Sequence, residues 1–145
     1  MNQGQPSAAG AIGQESAVAA AAAALRAGQL VVFPTETVYG VAANAQAPQA
    51  VGQLLKLTGA APGDPSTWHA PDSQTVLDAL GIKVPLHRRL FKRLAPGPVR
   101  FIVEMVEAEL AQRLNGLGVS PGVMDRAGEV CVRISNPPIA RAVIE

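Results

Sequence analysis

Two hydroxyls, a carboxylate, a phenol and a glycine crowd together at Thr35, Glu36, Thr37, Tyr39 and Gly40. A run of strand formers, Leu30 to Phe33, leads into them and is stopped by Pro34, which has no N–H to give to a ladder. Polar groups gathered at the carboxyl end of a buried strand suit a small polar ligand, since open α/β sheets hold theirs there. Pattern alone equally allows a strand followed by an ordinary polar turn. His69, after Trp68, reads alone as a half-buried, hydrogen-bonded strand residue. Arg133, in Glu129–Ile134, reads alone as a surface ion-pair partner.

The elements that position these residues alternate. Met1 to Gln14, rich in Gly, Gln, Ala and Ser, is expected to be a disordered leader. Residues 15–145 are then expected to form one domain. Glu15–Ala27 reads as an alanine-rich helix closed by Gly28, and Gln29–Phe33 as a strand. Pro48 opens a second helix through Val51, Leu54, Leu55 and Leu57. Gly59 to Pro65 is a loop, Thr67–Ala70 a short strand and Asp72–Leu80 a helix. Leu86, Leu90 and Leu94, with Phe91 beside them, form the apolar stripe of a helix that Pro96-Gly97-Pro98 ends. Arg88, Arg89, Lys92 and Arg93 form its opposing basic face. Strands over Val99–Met105 and Val130–Ile134 flank a helix near Glu107–Leu114, and Pro137-Pro138 start another. This alternation predicts a layered α/β domain.

Composition narrows the function. The 145 residues are 48% hydrophobic and 16% charged, which is globular rather than disordered. Aromatics are only 3%, too few for base-stacking platforms. Net charge is +1, yet residues 1–80 carry two basic side chains against five acids, and the rest ten against six. A basic face for phosphates is thus permitted. One cysteine, Cys131, excludes an internal disulfide, and with two histidines it leaves no metal site expected. No apolar run reaches the roughly 20 residues of a membrane span, and no basic flank precedes Ala17–Leu25 as in a signal peptide. A cytoplasmic protein is expected.

Gly28 to Val41, GQLVVFPTETVYGV, resembles the signature segment of the YrdC/Sua5 family. Three further blocks follow in family-like order: Pro65 with His69, Leu94-Ala95-Pro96-Gly97-Pro98-Val99, and Val132-Arg133-Ile134. The resemblance implies a YrdC-like twisted, mixed open sheet flanked by helices. It implies synthesis of threonylcarbamoyl-AMP from threonine, bicarbonate and ATP, with pyrophosphate released, for a tRNA modification. ATP with Mg2+ is then a substrate, and no permanent cofactor is expected. Thr35 and Thr37 would bind threonine and nucleotide, Tyr39 would shape the pocket wall, His69 would hold threonine, and Arg133 would meet a carboxylate.

The chain departs from the family pattern. Family enzymes carry a lysine-glycine-arginine element before the proline–histidine block, and an ungapped count places Thr58 and Ala60 at its cations. Arg100 stands where the family usually has a small hydroxyl residue. A downstream serine-alanine-asparagine segment is absent before Glu145, so a domain lacking the family's C-terminal part is expected. Weak or absent activity is one implication. A non-catalytic nucleotide- or double-stranded-RNA-binding module using Arg88, Arg89, Lys92 and Arg93 is another, and a truncated, non-functional product a third. Self-association or a partner chain is expected to cover the short end, where a helix from Pro137 leans on Ile139, Val143 and Ile144.

Overall fold

A computed structural model describes residues 8–61, 64 and 66–144. In chain order the elements are α1 (Ala8–Arg26), β1 (Val31–Pro34), β2 (Tyr39–Ala42), α2 (Pro48–Thr58), β3 (Trp68–His69) and α3 (Ser73–Ala79). There follow α4 (Pro85–Leu94), β4 (Arg100–Glu104), α5 (Glu107–Gly116), β5 (Asp125–Arg126), β6 (Glu129–Arg133) and α6 (Pro138–Ile144). The helix expected from Glu15 begins at Ala8, inside the stretch read as a leader. Residues 1–7 of that stretch lie outside the described residues.

The sheet is mixed and open, as expected, but divided. β6 is central: β3 pairs with it in parallel, β4 and β5 antiparallel. β1 and β2 form a separate antiparallel hairpin. Period-two alternation sets the two faces of the main sheet. Val130 and Val132 are fully buried against the core of Val76, Leu77, Leu80, Leu110 and Leu114, with Phe101 and Val103 of β4 packed beside them. The opposite face carries Arg100, Ile102 and Glu104 of β4 and Cys131 and Arg133 of β6. Cys131 is only half-buried there, and Thr67 Oγ1 donates to its sulfur at 3.5 Å. Among the described residues no helix is long and apolar enough to cross a membrane, and no cluster of His, Cys, Asp or Glu is arranged to hold a metal.

Helix signals were legible locally. Pro48 occupies the first turn of α2, and Gly59 ends it in the left-handed conformation at φ 66°. Asp72 caps α3, accepting from the Thr75 N–H at 2.7 Å.

The expected orientation of α4 is overturned. Leu86, Leu90 and Leu94 are 55%, 43% and 43% exposed, and the buried side is the row of Phe91 and Arg88. Phe91 stacks on Phe101 with ring centroids 4.1 Å apart, and its carbonyl accepts from the Ser73 hydroxyl. Arg88 Nη1 donates to the Ile82 carbonyl at 3.1 Å, so Arg88 belongs to the attachment and not to the basic face. The stack of Phe91 on a strand residue fixes which side of the helix is buried, and the leucine row is left facing outward. Leu90→Ala should therefore change stability by no more than about 0.5 kcal/mol, where a buried leucine would lose about 2–5 kcal/mol. A chemical melt showing the larger loss would mean that the row is covered in solution.

Candidate functional site

The signature segment folds as a hairpin tip rather than as the carboxyl end of a main-sheet strand. Pro34, expected to stop β1, is its last residue and pairs with Tyr39. A proline is tolerated there because β1 needs no N–H from it at the end of a two-stranded ladder. Thr35 organises the turn. Its N–H donates to the Val38 carbonyl at 3.2 Å and its hydroxyl to the same oxygen at 2.6 Å, while its Oγ1 accepts from the Thr37 and Val38 N–H groups. These local bonds are the Ser/Thr alternative to a ladder.

That turn reaches the open sheet face and meets Arg133. Arg133 Nη2 donates to Glu36 Oε2 at 3.2 Å and to Thr37 Oγ1 at 3.1 Å, with both charged side chains 16% exposed. Glu36 Oε1 accepts from the Asn136 N–H at 3.0 Å. One carboxylate thus joins the hairpin, the last strand and the start of the following helix. Arg133 Nε is buried and donates to nothing among the described residues. His69 is the parallel-register neighbour of Arg133, shares a 3.4 Å hydrogen bond between Nδ1 and Ser135 Oγ, and meets Phe33 edge-on at 5.2 Å. Arg100 is the antiparallel-register neighbour on the other side.

Beside this row lies a cleft of about 750 Å³ between the hairpin, α1, α2 and the β3 edge. Its lining is largely apolar, with Leu25, Phe33, Val41, Leu54 and Met124, and its polar side chains include Asn44, Thr67 and His69. Thr58 and Ala60 line it without a cation, and Thr58 Oγ1 donates back to the Leu54 carbonyl. Lys56 is exposed and does not line the cleft: two residues along a helix turn its side chain about 200° away from that of Thr58. Arg26 and Asp64 also line it, Asp64 paired with Arg126 at 3.0 Å.

Of the sequence candidates, Thr37, His69 and Arg133 converge. Thr35 is spent on the turn, and Tyr39, read as pocket wall, is 76% exposed and does not line the cleft. Pro65 lies outside the described residues. Glu36 was seen as a carboxylate but not as a site residue. The signal for it was an arginine on a central strand, which must find an acceptor when half-buried.

The electrostatics give a pH dependence. His69 is held below its ordinary value of 6.5 by burial first and the Arg133 charge second, against the opposing pull of Glu36. For Glu36, burial acts to raise the pKa, but main-chain donors at Glu36 and Asn136 and the Arg133 charge prevail and hold it below 4.5. Both folded values are depressed, so both stabilise at neutral pH. As pH falls through about 6.5 the unfolded chain protonates at His69 before the folded one, and stability declines. A second decline follows below about 4.5 from Glu36. Thermal melts against pH should show the first decline in the natural protein and a flatter profile in His69→Gln. An unchanged profile in that variant would remove His69 as the cause.

Comparison with known proteins follows the same lines. The Sua5/YciO/YrdC family model, described as "Telomere recombination", matches residues 23–145. Threonylcarbamoyl-AMP synthase of Bacillus subtilis is 33% identical over 127 residues, covering 88% of this chain and 34% of that protein. The Bos taurus enzyme of that name is 36% identical over 103 residues, covering 71% and 36%. The chain therefore spans about a third of the length of these relatives. Among solved structures, P. abyssi Sua5 complexed with L-threonine superposes with a TM-score of 0.71 at 31% identity, covering 90% of this chain and 35% of that one. E. coli YciO, at 18% identity and a TM-score of 0.68, covers 90% and 58% and shares the fold. By the matched family model and the fold together, this chain belongs to the Sua5/YrdC family.

Proposed function

We propose that the chain is a threonylcarbamoyl-AMP synthase-type domain in which the amino-acid pocket is assembled and the nucleotide pocket is short of positive charge. The observation that carries this reading is the convergence of Thr37, His69 and Arg133 on one open sheet face, from three segments far apart in sequence. Threonine would sit at this row, its carboxylate on Arg133 and its amine near the neutral His69 ring. Guanidinium suits a carboxylate because its donors form a fixed fork. Threonine and bicarbonate would condense to a carbamate with loss of water. The carbamate would then attack the α-phosphorus of ATP and expel pyrophosphate, chemistry that depends on positioning and charge compensation. Mg-ATP is a substrate in this scheme. Thr58 and Ala60 offer its phosphates no cation from the cleft wall, so turnover is slow.

The test is pyrophosphate release from the purified chain with threonine, bicarbonate and Mg-ATP, omitting each in turn. Release that needs all three supports the reading, and none at any concentration overturns it. A second reading, a non-catalytic RNA-binding module, is favoured by the exposed Arg89, Lys92 and Arg93 of α4. Salt-sensitive binding of double-stranded RNA without turnover would select it.

A further inference from the structure

β4 is an edge of the main sheet: β6 pairs with one side of it, and among the described residues no strand pairs with the other. In an antiparallel ladder, residue pairs that exchange main-chain bonds alternate with pairs that do not. The Met105 N–H donates to the Gly128 carbonyl at 2.9 Å, which continues the β4–β6 register and sets its phase. Phe101 and Val103 therefore turn their N–H and C=O groups toward β6, while Arg100, Ile102 and Glu104 turn theirs outward. The Arg133 carbonyl agrees with this phase, since it accepts from the Ala70 N–H on the far side of β6. A row of unpaired main-chain groups is a template for another strand. The side chains along this row are exposed as well, Ile102 at 64%.

The order of those side chains says which strand fits. Arg100-Phe101-Ile102-Val103-Glu104 runs from a cation through apolar residues to an anion, so it complements itself when reversed about Ile102. We propose that β4 is the contact of a homodimer, in which two main sheets join antiparallel about Ile102. Arg100 then faces Glu104 of the second copy, Phe101 faces Val103, and Ile102 faces its own counterpart. In this register every outward N–H meets an outward carbonyl. A slip to the next bonded register leaves both charges without a partner, and the one beyond opposes like charges. Within the chain the same two residues face their own sign, Arg100 opposite Arg133 and Glu104 opposite Glu129, an arrangement that destabilises a sheet. Among the described residues neither Arg100 nor Glu104 has an ion pair. The second copy supplies each with the opposite charge on its free side. Charge at an edge can also serve only to repel other strands. One sign along the strand would do that, whereas this order attracts a copy of itself. The contact is isologous and closes on two subunits. Its twofold axis runs normal to the sheet, so both open faces, each with its Arg133 row, lie on the same side. The inference does not rest on the synthase reading.

Sedimentation velocity over a concentration series tests this. The natural chain should pass from monomer to dimer as it is concentrated, and back on dilution, because a strand-to-strand contact is small. Arg100→Glu and Glu104→Arg each set like charges against one another across the twofold axis. Each should weaken dimerisation roughly 10- to 100-fold. An equimolar mixture of the two variants restores the pairing, since every glutamate of one then faces an arginine of the other. The mixture should dimerise about as well as the natural chain. Both variants should melt, as dilute monomers, at or above the temperature of the natural chain, because each relieves a like-charge pair with β6. Loss of the dimer is thereby distinguished from loss of the fold. Recovery in the mixture supports the β4 contact. A natural chain that stays monomeric at every concentration overturns it. So does a dimer that neither variant weakens, or a mixture that does not regain what the variants lose.

Discussion

Replacing Thr58 by lysine together with Ala60 by arginine is expected to tighten Mg-ATP binding by roughly two to four decades. Both positions line the cleft, so both new side chains start at its wall. Each charge-assisted hydrogen bond to a phosphate oxygen contributes on the order of 1.5–3 kcal/mol, and two of them span that range. The backbone should accept both changes. Thr58 gives up only a bond to its own helix, and lysine has the better helix propensity. Gly59 between them keeps its left-handed conformation, which neither substitution touches. Calorimetry with Mg-ATP is the check, with a thermal melt to show that the fold is retained. An affinity equal to that of the natural chain would mean that these two positions do not face the phosphates.

Arg133→Ala should be the most damaging single change in the site. It leaves Glu36 at 16% exposure with main-chain donors but no cation, and it opens the contact between hairpin and sheet. Removing one partner of a largely buried pair leaves the other charge uncompensated, at a loss of roughly 2–4 kcal/mol. Threonine binding should disappear with it. Glu36→Gln separates the two effects, because its one amide oxygen can keep the Asn136 N–H bond while its NH2 cannot accept from Arg133. That variant should also lose stability, since Arg133 is left without its carboxylate, but it leaves the guanidinium free to take a ligand's carboxylate. Urea melts of the two variants and threonine-induced NMR shifts decide the matter. A threonine response that survives Arg133→Ala removes Arg133 from the pocket.

Much of the fold was legible because helix and strand signals are local. Pro48, Gly59 and the alternation around Val130 and Val132 each name an element from a handful of neighbours. Two misreadings share one cause, that periodicity reveals a face but not what the face meets. The leucines of α4 have helical spacing yet lie outward, because Phe91 found Phe101, a partner ten residues on and unreadable from the helix itself. Pro34 reads as a stop from its neighbours alone, whereas a two-stranded hairpin can end on proline and return through β2. The site divides likewise. Thr37, His69 and Arg133 stand out by type and spacing, but Glu36 matters only through its contacts with Arg133 and the Asn136 N–H, far on in the sequence.

The hairpin has a further consequence for the order in which the protein acquires its shape. A two-stranded hairpin is marginal by itself in water. Here β1 and α1 pack on α6, whose residues are made after the whole main sheet, and the turn is clasped by Arg133 and Asn136. As the chain leaves the ribosome, residues 8–42 therefore emerge without the surfaces that hold them. Their apolar side chains, Phe33 among them, stay exposed for most of the synthesis of residues 43–137. This is the interval in which a nascent chain is most open to chaperones and to misassociation. Closing so long a loop also places the hairpin among the late events of folding, after β4 and β6 have paired.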